Sequence, residues 1–186
     1  MEEDRVALLV EDFRRLRPKI DPQNKAVAAR LLHLSDLVQR YYGAVAERFD
    51  VSLSGLGVLT ALARSSPREL TLTDLNNDIL VTSGGMTFLT TRLERQGFVA
   101  KRPHPGDGRA VLVGLTRRGR QVADELIDAV ALADMAALAD FRVDDLLKAD
   151  ELLIRLQAGI ESVTSRQQET ESITETRERS PGAPRR

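Results

Sequence analysis

The chain has 186 residues, of which 30% are charged and only 4% aromatic, with no tryptophan. That profile suits one helix-rich domain with appendages. There is no cysteine, which excludes a disulfide framework, a thiolate metal site and a thiol redox sensor. The two histidines, His33 and His104, lie far apart in the chain, so neither a metal nor a cofactor is expected. The opening MEEDRVALLVEDFRR is acidic with a short apolar run, unlike a signal peptide, and no apolar stretch reaches the ~20 residues that span a bilayer. The expectation is a cytoplasmic protein. Net charge is −1, but it is polarised: residues 82–120 hold eight Arg/Lys against two acids, and residues 121–161 hold three against ten. Such a chain presents a cationic surface to a polyanion.

In chain order, Val6, Leu9, Val10, Phe13 and Leu16 predict a short amphipathic helix over 3–16. RPKIDP breaks it with two prolines. Val27, Leu31, Leu34, Val38, Tyr41/Tyr42 and Val45 predict a longer helix from Asn24 to Phe49. Ser52 or Ser54 caps a helix through Ala63, and SSPREL is a loop. Thr71 caps a helix around LTDLNNDIL, and a tight turn then leads to a helix ending at Gly97. That is the spacing of a helix-turn-helix. FVAKR and AVLVGL predict two strands joined by an exposed hairpin loop, PHPGDGR, which together form a wing. Helices follow over 117–139 and 143–162, the second with a coiled-coil-like seam of Leu146, Ala149, Leu153, Leu156 and Ile160. The predicted organisation is N-terminal dimerisation helices (1–52), a winged helix-turn-helix lobe (53–120), C-terminal dimerisation helices (121–162) and a disordered tail (163–186). The fold class is mainly α with a small β-hairpin wing.

No Ser-His-acid spacing, phosphate-binding fingerprint or ligand cluster occurs in the sequence, so an enzyme is not expected. On a wheel, Met86, Leu89, Thr90 and Leu93 face the core. The opposite side carries Gly84, Thr87, Phe88, Thr91 and Arg95, with Arg92 at its edge. That stripe suits a recognition helix in the major groove, where threonine meets a base edge or a thymine methyl. Phe88 has two readings, a methyl contact or core under the wing. The double glycine of TSGGMTFL sits where a helix should start; Gly84 and Gly85 in the first turn let DNA approach, leaving Ser83 and bare N–H groups for a phosphate. Lys101, Arg102, Arg117, Arg118 and Arg120 supply further cations. Arg109, with Asp107 two residues before it, stands at the wing tip, where arginine suits a narrow minor groove; the alternative is a surface turn pair worth little.

The segments SLSGLGVLTAL, LTLTDLNND, TSGGMTFLTTRLERQGFV and AKRPHPGDGRAVLVGLTRRGR resemble the MarR family of winged-helix transcription factors, and the likeness extends over about residues 24–161. It implies a homodimer with interlocked terminal helices, binding to a palindromic double-stranded operator, and Arg109 in the minor groove. The expected function is a transcriptional regulator, a repressor released by a small aromatic ligand. Departures from the family pattern at Gly108, Phe88-Leu89 and Asn76 imply a different operator or looser DNA binding than in relatives. The missing cysteines exclude the family's peroxide-sensing branch. A crevice ligand would meet the α-helical side stripe Arg30, His33, Leu37 and Tyr41, for which core packing is the alternative. A reading of another class makes Phe88 and Leu89 an apolar docking patch for a protein partner.

Overall fold

The computed structural model describes residues 4–66, 69–79 and 85–178, with side chains apart from those of 108, 109 and 167–178. Seven helices and a three-stranded sheet are described among them. Helix α1 (Arg5–Leu16) starts where the Asp4 carboxylate accepts from the N–H groups of Val6 and Ala7, satisfying two orphan donors of the first turn. The same carboxylate takes the Arg30 guanidinium from α2 (Gln23–Glu47), so the cap also ties α1 to α2. Helix α3 (Leu53–Arg64) is capped by Ser52, whose hydroxyl accepts from Gly55 N at 3.1 Å.

Strand β1 (Glu69–Thr71) lies in SSPRELT, where a loop is expected from the sequence. It pairs antiparallel with β3 (Asp107–Leu115), and β3 pairs on its other edge with β2 (Val99–His104), giving the order β1-β3-β2. Three residues are too few to show a period, which is why this strand escapes sequence reading. Thr71 closes β1 and opens α4 (Leu72–Asp78) through a capping box: its hydroxyl accepts from Asp74 N while Asp74 accepts from Thr71 N.

Helix α5 (Met86–Arg95) is the second helix of the helix-turn-helix. Its Met86, Leu89, Thr90 and Leu93 are buried, as their spacing predicts. The helix ends in a Schellman motif: Phe98 N donates to Leu93 O, Gly97 N donates to Glu94 O, and Gly97 takes φ +76°. The core beneath gathers Val58, Leu59 and Leu62 of α3, Leu75 of α4, Leu93, Phe98, Val99, Val113 and, from α6 (Arg117–Ala137), Ala123 and Leu126.

Three boundaries differ from expectation. The wing's turn is short, with only Pro105 and Gly106 between the strands, because β2 continues through Pro103 and His104 after a bulge. Helix α6 packs on α3 and belongs with the lobe that precedes it, so residues 121–137 are not grouped with the last helix. That helix, α7 (Val143–Glu178), lies in a second unit beginning at Leu138 and runs well past residue 162. No proline or glycine occurs between Gly159 and Pro181, and the Arg, Gln, Glu and Ser there tolerate a helix. The last residues of the expected disordered tail, 179–186, lie outside the described residues.

Candidate nucleic-acid interface

The outward face of α5 carries Thr87, Phe88, Arg92 and Arg95, all exposed. Phe88 is 76% exposed, which rules out core packing under the wing and leaves the ring presented to solvent. Gly85 precedes the helix instead of forming its first turn. It is the N-cap, with φ +131° and no side-chain cap, a conformation essentially reserved for glycine. The N–H groups of the first turn are therefore uncapped by any side chain of that residue. Ser83 and Gly84 lie outside the described residues.

Thr91, half-buried, is held at both ends of its hydroxyl. Its Oγ1 donates to Thr87 O at 2.8 Å and accepts from Lys101 Nζ at 2.7 Å. Lys101, reaching across from β2, also pairs with Glu94 at 3.6 Å. It is a buttress of α5 as placed here, not an outstretched cation. Arg102 is likewise engaged: its guanidinium meets both carboxylate oxygens of Glu69 at 2.9 and 2.5 Å. That contact holds the Glu69 carboxyl below, and the Arg102 guanidinium above, their ordinary pKa values. Arg118 stacks over Phe98 at 5.0 Å and donates to Gln96 O, and Arg120 donates to Leu115 O. Among the described residues, Arg92, Arg95 and Arg117 make no ion pair or side-chain hydrogen bond. The cationic patch counted in the sequence is thus partly spent on holding the lobe together. Asp107 is exposed and faces His104 across the wing's turn. Arg109 follows within β3, between the pairs His104–Asp107 and Pro103–Val111 where the register shifts; its side chain lies outside those described.

None of the residues of the stripe expected to line a ligand crevice, Arg30, His33, Leu37 and Tyr41, lines the cavity at Tyr42. Arg30 is engaged with Asp4, Leu37 is exposed, and His33 is half-buried. A cavity of about 410 Å³ opens one residue further round α2, at Tyr42 instead of Tyr41. Leu56 and Thr60 of α3, Ile79, and Ile127, Val130 and Asp134 of α6 complete most of its wall. Asp134 accepts from the hydroxyls of both Tyr41 and Tyr42, whose rings meet edge to face at 4.7 Å. Burial first, and then the carboxylate, push both hydroxyls above the ordinary tyrosine pKa, so they remain donors. The sequence signal for this site is the adjacent Tyr pair facing an acidic helix, but only packing of three helices shows which tyrosine faces inward. Among the described residues no cluster of acids and histidines could hold a metal ion, and no helix is long and apolar enough to cross a membrane.

Residues 52–111 match the family model described as MarR family. The HTH-type transcriptional regulator PecS of Dickeya dadantii (strain 3937) is 24% identical over 153 residues, 82% of this chain and 92% of that protein. An uncharacterized HTH-type transcriptional regulator, YkoM of Bacillus subtilis (strain 168), is 31% identical over 106 residues, 56% of this chain and 66% of that protein. The fold is similar to that of Sco3205, a MarR family transcriptional regulator from Streptomyces coelicolor solved in complex with DNA. The TM-score is 0.66 at 22% identity, over 75% of this chain and 88% of that one. With its helix-turn-helix, its wing and the exposed face of α5, the chain belongs to the MarR family of winged-helix, DNA-binding transcriptional regulators.

Proposed function

We propose that two copies of this chain bind a palindromic duplex operator and repress transcription until a small molecule fills the cavity beside Tyr42. The observation that carries the DNA reading is the solvent-facing surface of α5, Thr87, Phe88, Arg92 and Arg95, on a helix whose other face is buried. In this reading α5 enters the major groove, the uncapped helix start at Gly85 takes a phosphate, and Arg109 on the wing enters the adjacent minor groove. Dimerisation is supported by apolar side chains left exposed on the helices outside the lobe, including Leu32 and Leu34 on α2 and Leu147, Leu152 and Ile154 on α7. The test is selection of bound duplexes from the source genome, followed by footprinting. Two protected half-sites about one helical turn apart are expected; a single half-site bound by a monomer would overturn the dimer.

The cavity has the size of a small-ligand site, and its wall says what kind of ligand suits it. Arg64 and Asp78 neutralise one another at 3.2 Å, which leaves the Asp134 carboxylate as the unbalanced charge on an otherwise apolar wall. A neutral donor-bearing or cationic aromatic molecule is favoured over an aromatic carboxylate, which would face like charge. Single-ring aromatic amines are therefore expected to raise the melting temperature more than matched carboxylates in a thermal-shift series. Ala131→Phe, which adds a ring to the cavity wall on α6, should abolish the shift. Equal shifts from amines and acids would sink the charge argument.

A further inference from the structure

Resting on the placement of α5 in a major groove, we infer that this helix recognises its operator through methyl groups of thymine, with Phe88 and the Thr91 methyl as the readers and Lys101 as a positioning residue. A threonine hydroxyl offers one proton and two lone pairs. At Thr91 the proton goes to Thr87 O and a lone pair goes to Lys101 Nζ, so the hydroxyl has no proton left for a base acceptor. Its γ-methyl is the group Thr91 can offer a base without giving up a bond. Phe88 stands one turn earlier on the same face, three residues away, with its ring 76% exposed. The two make a small apolar patch. The exposed Arg92 and Arg95 sit one turn beyond Phe88 and Thr91 on the same side. Of the four bases, only thymine shows an apolar group in the major groove, its C5-methyl, and an apolar patch beside cations on such a helix matches that edge.

The arrangement also reassigns Lys101. Half-buried and engaged with both Thr91 and Glu94, it acts on the readout by fixing the Thr91 rotamer, not by neutralising a phosphate. Without the ammonium the hydroxyl keeps only its bond to Thr87 O, and the direction of the methyl is less firmly fixed.

The experiment uses the full chain and duplexes selected from a random pool, resynthesised with deoxyuridine for thymidine at one position at a time. Uracil lacks only the methyl. At one or two positions in each half-site the substitution should weaken binding about fourfold, the value of one buried methyl group. Thr91→Val keeps the methyl and should retain both affinity and discrimination between thymine and uracil. Thr91→Ser keeps the hydroxyl and should lose the discrimination at one position, and Phe88→Ala should lose it at the other. Lys101→Met should reduce the discrimination at the Thr91 position with the salt dependence of binding unchanged. Binding that is indifferent to uracil everywhere, or a Thr91→Ser protein that outperforms Thr91→Val, overturns the inference while leaving the operator reading intact. A slope against salt that falls in Lys101→Met with discrimination preserved overturns the positioning role. Absence of DNA binding at low salt overturns both readings and transfers the Phe88 patch to a protein partner.

Discussion

Gly119→Ala is expected to destabilise the chain by about 3 kcal/mol, more than any other single methyl added to a glycine described here. A β-carbon built on Gly119 would lie 1.8 Å from Phe98 O and 2.7 Å from the carbonyl carbon itself. The neighbour is backbone, so no rotamer change relieves the overlap. Nor is that carbonyl free to move. It accepts from Thr116 N at 3.0 Å, and Phe98 N is bound to Leu93 O at the end of α5. Thr116 in turn caps α6: its hydroxyl donates to Gly97 O at 2.7 Å and accepts from Gly119 N at 2.9 Å. The end of α5, the start of the wing and the start of α6 therefore meet within one small bonded knot. For a chain of this size, 3 kcal/mol corresponds to a fall of about 10 °C in melting temperature. Gly43→Ala is the control, because nothing lies within 4 Å of its added carbon inside α2, and it should leave the melt unchanged or slightly raised. Circular-dichroism melts of the two variants decide the matter. Equal melting temperatures would show that the Phe98 carbonyl yields more easily than its hydrogen bonds imply.

The same knot shows which features were legible in the sequence. Gly97 reads as a helix stop, because helix stops use local chemistry whose residue preferences are strong. The buried side of α5 follows from its period, and Met86, Leu89, Thr90 and Leu93 are all buried. What the period cannot show is which charges are already committed. Arg102 reads as a phosphate cation until β1 is seen to bring Glu69 beside it, and β1 is too short to leave a trace. Lys101 reads the same way until the β2 register places it against Thr91. The cavity meets α2 one residue away from the expected stripe for a similar reason. Tyr41 and Tyr42 bond to Asp134 from 93 and 92 residues away, and only the packing of α2 with α3 and α6 shows that Tyr42 lies on the cavity wall. The start of α5 was misjudged in a different way: two glycines tolerate many conformations, so the positive φ of Gly85 has no signature beyond glycine itself.

Those commitments alter the expected electrostatics of DNA binding. Arg92→Ala/Arg95→Ala should weaken operator binding on the order of a thousandfold at 0.1 M salt, and Arg102→Ala should not. Arg92 and Arg95 are exposed on the outward side of α5 and bound to no described residue, so each is available to a phosphate without first breaking a contact. Two such cations per protomer, in the proposed dimer, release about four counterions. The slope of log K against log salt should then become shallower by about 3.6. Arg102 must leave Glu69 to reach a phosphate, and the carboxylate it abandons lies beside the same surface. Its net contribution is correspondingly small, and the slope in Arg102→Ala should change by less than about one. Fluorescence anisotropy on a selected duplex at several salt concentrations between 50 and 200 mM measures both quantities at once. A slope lost chiefly in Arg102→Ala would mean that Glu69 gives up its partner when DNA arrives, and that α5 approaches the groove from the β1 side of the lobe. A slope lost chiefly in the α5 double variant places the two exposed arginines at the phosphates that flank Phe88.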